Sequence, residues 1–157
     1  MENFTTWFVG LFSNWGVVWK NFDYLLLGAY PKGPLGGLAM SVIMAVIGIF
    51  GAFWIGLGVG LMRLSTRQWL SWPALFYIEI IRGTPLLMVI FWFYFFAPIL
   101  MGHAVPETES AIAAFIVFTG AYVAEIVRAG VLAIPKGQTE AARGSGLSHT
   151  QAMVHVI

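Results

Sequence analysis

The sequence predicts an all-α protein that spans a membrane, and three observations lead to this fold class. Of the 157 residues, 59% are hydrophobic and only 10% are charged, whereas soluble globular domains carry about 25% charged residues. Long stretches contain no Asp, Glu, Lys or Arg, and residues 33–62 form one of them. The few charges gather at the ends of these stretches, and a formal net charge of +1 offers no basic stripe for nucleic acid. Helices buried in lipid are therefore expected.

Residues 1–32 are predicted to form an aromatic helix on the outer surface of the membrane. Phe8, Phe12, Trp15, Trp19 and Phe22 recur at spacings of three and four, which places them on one side of a helix. Tryptophan is favoured at the membrane interface, so the helix is expected to lie in the interface plane. Packing of the same side on a neighbouring subunit explains the pattern equally well.

The first membrane span is predicted over residues 35–62, after a proline- and glycine-rich break at residues 30–34. Its length allows it to cross the bilayer with some tilt. Gly56 and Gly60 have the G-x-x-x-G spacing that permits close contact between helix backbones. The alternative is that these glycines are merely tolerated in lipid.

A second span is predicted over residues 84–102. Arg63 and Arg67, followed by tryptophans and Pro73, form a basic turn before it, and such turns lie on the cytoplasmic side. The six aromatic residues at 91–96 cover every face of a helix, which indicates lipid contact or packing. Stacking of one or two of them on a substrate is the alternative.

The third span is predicted over residues 110–134 and carries charges. Only fifteen residues separate Glu109 from Glu125, too few to cross about 30 Å at 1.5 Å per residue. The helix therefore has to continue beyond Arg128. The loop before it lacks Lys and Arg, whereas all cations after position 60 lie towards the other side. This distribution predicts an outside N-terminus and a cytoplasmic loop after Ile134.

Two similar motifs place a carboxylate and a guanidinium one helical turn apart. They are Glu79-Ile-Ile-Arg82 and Glu125-Ile-Val-Arg128. Residues three apart share a helix face, so each motif is a candidate ion pair within the membrane. Charges at membrane depth also indicate a role in transport, and a purely structural pair is the alternative.

The polar stretch 135–148 is predicted to hold a short helix with a hinge at each end. Pro135 ends the preceding helix, and Gly144 or Gly146 can adopt the left-handed conformation that closes the new one. Ser148 and Gln151 have the spacing of a capping box, which predicts a further helix at once.

The residues Glu140, Ala141, Ala142 and Gly146 resemble the EAA loop of membrane subunits of bacterial ABC importers, which docks into a groove of the ATPase. Two further stretches, Arg82-Gly-Thr-Pro and residues 121–130, resemble the polar amino acid branch of these permeases. In that family the motif continues beyond the position of Ile157. The resemblance thus implies that residues 33–157 form a permease domain that is incomplete at its C-terminus.

The resemblance implies three transmembrane helices of a type I importer permease core in the bacterial inner membrane. It implies cytoplasmic ATP-binding subunits, a second permease subunit and an external substrate-binding protein as partners, and a polar amino acid as substrate. Residues 92–98 resemble permeases for glutamate and aspartate or for glutamine. The rival interpretation is a membrane anchor or a small membrane enzyme whose loop binds an unrelated partner.

Catalytic and cofactor-binding motifs are not found in the sequence. It has no cysteine, and its histidines lack zinc-ligand spacing, so no metal site is predicted. A G-x-x-x-x-G-K-[ST] phosphate loop is also missing, so any ATP hydrolysis is expected in a separate subunit. We therefore expect a transport subunit without a cofactor rather than an enzyme.

Overall fold

The structure is a computed structural model that describes Gly10 and residues 15–156. Phe8 and Phe12 of the predicted aromatic helix lie outside these residues. Residues 15–156 form helices joined by short connections and contain no strand, apart from an isolated bridge between Gly28 and Leu35. The helices are α1 (Trp15–Lys20), α2 (Phe22–Leu27), α3 (Gly37–Arg63), α4 (Gln68–Arg82), α5 (Leu86–Met101), α6 (Glu107–Ala133), α7 (Lys136–Gly144) and α8 (His149–His155).

The chain divides into two compact units, Met1–Ile47 and Gly48–Ile157. In the first unit, the break predicted at residues 30–34 separates α2 from α3. Gly37 has a φ of +59°, and a Cβ built on it would overlap the Leu25 carbonyl, so a side chain would not fit. Glycine is required there for both reasons.

The aromatic segment before this break forms two short helices rather than one. Asn21 separates α1 from α2, and its Nδ2 donates a 2.8 Å hydrogen bond to the Val17 carbonyl. An asparagine side chain that bonds to the backbone competes with regular helix formation, which explains the interruption. Trp19 and Phe22 still meet across the break, with ring centroids 5.6 Å apart.

Helices α3 and α6 are each long and apolar enough to cross a membrane. Within the second unit, the glycine face of α3 packs against α6. A Cβ built on Gly51 would lie 2.7 Å from Ile116, and one on Gly60 would lie 2.8 Å from the Ala124 carbonyl oxygen. The predicted helix contact is thus present, and its partner is α6. Residues later in α3 contact residues later in α6, so the two helices are parallel.

The segment between them, α4 and α5, forms one bent pair with an angle of 108° between the helices. Parallel α3 and α6 begin at the same membrane side, so the intervening chain has to cross back. At 16 residues, α5 alone is about 24 Å long, shorter than the hydrocarbon core of about 30 Å. Taken together, α4 and α5 are long and apolar enough for a further span, and the second span over residues 84–102 stays a prediction.

The predicted basic turn up to Pro73 is wrong in its extent. Helix α4 already begins at Gln68 and contains Pro73. Pro73 lies near the start of the helix, so its missing amide hydrogen leaves only one carbonyl of the first turn without its hydrogen bond. The turn itself is closed by Arg63, whose Nη1 donates to Ser71 Oγ at 2.9 Å, while Ser71 Oγ donates to the Arg63 carbonyl at 3.2 Å.

The core of the second unit is built on the small residues of α6. Ala114 and Ala121 are fully buried and pack in one cluster with Val89 of α5 and Ile81 of α4. Phe93 is the member of the aromatic run that packs against this cluster. The other five aromatic residues of the run are exposed on the surface of the chain: Phe91, Trp92, Tyr94, Phe95 and Phe96.

Candidate coupling helix and membrane-embedded charges

Helix α7 is the short polar helix that the sequence predicts after the last span. Pro135 precedes it with a φ of −57° and a ψ of 134°, so the chain turns out of α6 before the new helix begins. Its carbonyl accepts the first hydrogen bond, from the Gln138 amide at 2.9 Å. Since proline has no amide hydrogen, it cannot continue α6 into α7. The two helices are therefore separate rods joined at Ile134 and Pro135.

The C-terminal end of α7 is closed by a Schellman motif. The Leu147 amide donates to the Ala142 carbonyl at 3.2 Å, and the Gly146 amide donates to the Arg143 carbonyl at 3.0 Å. Gly146 has a φ of +89°, the left-handed conformation that this motif requires and glycine adopts readily. Of the two glycines proposed from the sequence, Gly146 is the one that closes the helix.

Helix α8 follows at once through the predicted capping box. Ser148 Oγ accepts a hydrogen bond from the Gln151 amide at 3.3 Å, and Gln151 Oε1 accepts one from the Ser148 amide at 2.9 Å. This reciprocal pair satisfies two amides at the start of α8. Helix α8 packs against α7, so the C-terminal end of α7 is held both by its closing turn and by contact with α8.

The residues of the EAA-like motif face different environments. Glu140 and Ala141 are exposed, whereas Ala142 is only 7% exposed. Gly146 is exposed, and a Cβ built on it would meet nothing within 4 Å. Glu140 and Ala141 are thus available to another molecule, whereas Ala142 is buried within the chain.

A groove of about 660 Å³ lies beside α7. Glu140 and Lys136 contribute charges to its wall, and His149 contributes a further polar group. The remaining lining comes from the ends of α3 and α6 and from α7 and α8: Leu61, Leu64, Ser65, Val131, Leu132, Ile134, Thr139 and Met153.

Glu125 and Arg128 form an ion pair on α6. Arg128 Nη2 lies 2.5 Å from Glu125 Oε1, and Arg128 Nε donates to both carboxylate oxygens at 3.0 and 3.1 Å. Both side chains are about one-third exposed, at 28% for Glu125 and 32% for Arg128. A charge-assisted pair of this kind lowers the cost of carrying both charges on a membrane-spanning helix.

The equivalent motif on α4 does not form an ion pair, although its spacing is the same. Glu79 is exposed and has no hydrogen bond or ion pair with residues 15–156. Arg82 instead places its guanidinium carbon 5.5 Å from the centroid of the Tyr122 ring of α6. This distance is within the range of a cation–π interaction. Tyr122 therefore replaces Glu79 as the partner of Arg82.

Two tyrosines that the sequence did not single out fix α4 to α6. Tyr122 holds Arg82, and Tyr77 Oη donates a 2.5 Å hydrogen bond to the Val117 carbonyl. Tyr122 lies three residues before Glu125 on the same helix. An aromatic residue one turn from a charged motif was the available signal, but sequence spacing alone cannot show that α4 crosses α6 there.

Comparison with known proteins identifies the family. The family model described as "Binding-protein-dependent transport system inner membrane component" matches residues 48–157. This range coincides with the second compact unit, which contains the bent pair α4–α5 together with α6 and α7.

Curated relatives carry names of amino acid permeases. The probable glutamine ABC transporter permease protein GlnM of Bacillus subtilis is 35% identical over 144 residues, 92% of this chain and 62% of the relative. The glutamate/aspartate import permease protein GltK of Escherichia coli is 34% identical over 151 residues, 92% of this chain and 63% of the relative. The chain thus spans slightly less than two thirds of the length of these relatives.

Two solved structures have similar folds. A crystal structure of an amino acid ABC transporter with histidines matches with a TM-score of 0.67 and 37% identity over 74% of this chain and 54% of that chain. The MetNI methionine ABC transporter in an inward-facing conformation matches with a TM-score of 0.64 and 26% identity over 76% of this chain and 58% of that chain. Given the family match over more than half of its length, this chain belongs to the inner membrane components of binding-protein-dependent transport systems.

Proposed function

We propose that this chain is the membrane-spanning permease component of an ATP-driven importer for polar amino acids. The observation that carries the proposal is α7, a short helix that is bounded by Pro135 and Gly146 and presents Glu140 and Ala141 to solvent. A helix that is fixed at both ends and exposed on one side is suited to docking on a partner. It lies next to the ends of α3 and α6, where its movement is transmitted to the spans.

Coupling to ATP hydrolysis would proceed through α7 as a rigid lever. In this mechanism, closure of separate ATP-binding subunits displaces α7, and the junction at Ile134 and Pro135 transfers the displacement to α6. Rigid-body movement of packed helices is a general route for switching between two conformations. Glu140 would bind a basic residue of the ATP-binding subunit through a charge-assisted hydrogen bond.

The proposed orientation places α7 in the cytoplasm and the N-terminus outside. Arg63 ends α3, and Lys136 and Arg143 lie on α7, at the membrane side to which we assign the cytoplasm. Loops enriched in Lys and Arg are retained on the cytoplasmic side of the bacterial inner membrane. Helices α1 and α2, with exposed tryptophans, would then lie at the outer surface of the bilayer.

The proposed substrates and partners follow from the relatives. These relatives are named as glutamine and glutamate/aspartate permeases, so we propose one of these amino acids as substrate. The proposed assembly contains ATP-binding subunits, a second permease subunit that is either identical or related, and an external binding protein.

Uptake by reconstituted vesicles tests this proposal. The permease is assembled with its ATP-binding subunits in proteoliposomes, and labelled glutamine, glutamate and arginine are supplied with the binding protein. ATP-dependent accumulation of at least one amino acid is expected. Correct insertion of the chain without uptake of any of them would favour a membrane anchor over a permease.

A further inference from the structure

The groove beside α7 lies at the level where the two long apolar helices end. Leu61 is two residues before the last residue of α3, and Leu132 is one residue before the last residue of α6, and both line the groove. Because these parallel helices are each long and apolar enough to cross a membrane, their ends mark one membrane–water interface. The groove is therefore at the depth of the lipid headgroups and the adjoining acyl-chain carbons.

The wall of the groove is mostly apolar, and part of it is uncovered in this chain. Leu61 and Leu132 are 44% and 61% exposed, and Met153 of α8 lines the same groove. With a volume of about 660 Å³, the groove is within the range of about 300–1,000 Å³ that is typical of small-molecule sites. Exposed apolar surface of this kind is typical of sites that contact membrane or protein.

Two charges of opposite sign line the same groove without pairing. Lys136 and Glu140 are four residues apart on α7, so they share a helix face. Both are exposed, and neither side chain forms a hydrogen bond or an ion pair in the part of the chain that the structure describes. A lysine that precedes a glutamate by four residues is the less favourable order for an ion pair on a helix. Both charges are thus available to another molecule.

This combination of groups matches a phospholipid with a zwitterionic headgroup. Phosphatidylethanolamine carries a phosphate, a primary ammonium group and acyl chains. A lysine ammonium binds phosphate oxygens, and a carboxylate accepts hydrogen bonds from an ammonium group. Basic side chains in pockets between membrane helices are a general feature of lipid headgroup sites. A purely anionic headgroup fits less well, because the carboxylate of Glu140 would repel it.

We propose that this groove binds a molecule of phosphatidylethanolamine from the membrane leaflet in which α3 and α6 end. Lys136 binds the phosphate, Glu140 binds the ammonium group, and the acyl chains cover Leu61 and Leu132. Glu140 keeps capacity for the ATP-binding subunit, because a carboxylate has two oxygens and accepts several hydrogen bonds. The inference requires that α3 and α6 span the membrane, but it depends on neither the transported substrate nor the orientation.

Competition among phospholipids that share the same acyl chains tests the site. The complex of permease and ATP-binding subunits is delipidated in detergent, and phosphatidylethanolamine, phosphatidylcholine and phosphatidylglycerol are added in equal amounts. Native mass spectrometry measures the dissociation constant of each lipid for the first position that fills. Phosphatidylcholine has no N–H donor and phosphatidylglycerol has no ammonium group. Each should therefore bind about 10-fold more weakly than phosphatidylethanolamine, the factor expected for loss of a hydrogen bond to a charged group. Glycerophosphoethanolamine, which lacks the acyl chains, should not compete.

Substitutions assign the phosphate and the ammonium group to their partners. Lys136→Gln should weaken binding of all three phospholipids about 10-fold, because each of them contains the phosphate. Glu140→Gln should remove the preference for phosphatidylethanolamine over phosphatidylcholine. Arg143→Gln is the matched control, because Arg143 is an exposed cation on the same helix that does not line the groove. It should change neither the affinity nor the preference.

A photoreactive phosphatidylethanolamine locates the site in the wild-type complex, so the test does not depend on the assembly of any variant. With the reactive group on the acyl chain next to the glycerol, crosslinks to residues 61–65 or 131–134 are expected. Crosslinks confined to other segments would overturn the proposal. Equal affinity of the wild-type complex for the three phospholipids, or an equal effect of Lys136→Gln and Arg143→Gln, would also overturn it. Uptake by proteoliposomes decides the proposed function separately.

Discussion

Gly146 shows how a single backbone angle determines the shape of the candidate coupling helix. Its φ of +89° allows the amides of Gly146 and Leu147 to turn back onto α7. The surrounding space is empty, so the requirement for glycine is conformational rather than steric. The sequence predicted Gly144 or Gly146 here, because glycine at the end of a polar helix is a general stop signal, and the structure distinguishes the two.

Replacement of Gly146 is therefore expected to disturb α7 without damaging the spans. Gly146→Val forces a β-branched residue into a left-handed conformation at a cost of about 1–3 kcal/mol. Ligand-stimulated ATP hydrolysis and uptake should fall together, while membrane insertion stays normal. Gly144→Ala is the matched control, because Gly144 lies inside α7 without a positive φ and also has open space around its Cα. Equal activity of the two variants would contradict a coupling role for this turn.

The Glu125–Arg128 pair should contribute to stability as a unit. Glu125→Gln leaves Arg128 without its carboxylate, and we expect the free energy of unfolding in detergent to fall by about 1–2 kcal/mol. Adding Arg128→Met should recover part of this loss, because the unpaired charge is then removed. Glu79→Gln is the control and should leave stability unchanged. Strictly additive effects of Glu125→Gln and Arg128→Met would show that the two side chains are not coupled.

At the scale of elements, the sequence predicted the long helices better than the bent one. Their length and apolar composition indicate that α3 and α6 are membrane helices, since lipid imposes a strong compositional signal. The bend between α4 and α5 has a weaker signal, because Gly83 and Pro85 are compatible with either a loop or a break within a span. Its angle depends on packing against α6, which a single sequence does not encode locally.

The contact between α3 and α6 yields a test with an internal control. A Cβ on Gly56 would lie 2.5 Å from Val123 Cβ and 2.8 Å from the Gly120 carbonyl oxygen, whereas one on Gly58 would meet nothing within 4 Å. Gly56→Ala should therefore lower the unfolding free energy by about 1–3 kcal/mol through overpacking. Gly58→Ala should be neutral or slightly stabilising, since alanine favours the helix. Unfolding of each purified variant in detergent measures both free energies. An equal loss of unfolding free energy in Gly56→Ala and Gly58→Ala would argue against the α3–α6 contact.

At the scale of the whole molecule, orientation depends on the distribution of cations. Cysteine at position 105, in place of Val105, should react with a membrane-impermeant thiol reagent added to intact cells. Cysteine in place of Lys136 should react only after the membrane has been opened. The protein has no native cysteine, so the signal is specific without further substitutions. The reverse labelling pattern would be incompatible with the proposed orientation.

The central claim is that α7 docks on an ATP-binding subunit, and site-specific photocrosslinking tests it most directly. A photoreactive residue is placed at Ala141, which is exposed, or at Ala142, which is 7% exposed, with Val105 as the control at the opposite membrane side. We expect Ala141 to form a strong crosslink to the ATP-binding subunit, Ala142 to form little and Val105 to form none. A crosslink to that subunit from Val105, with none from Ala141, would contradict the account.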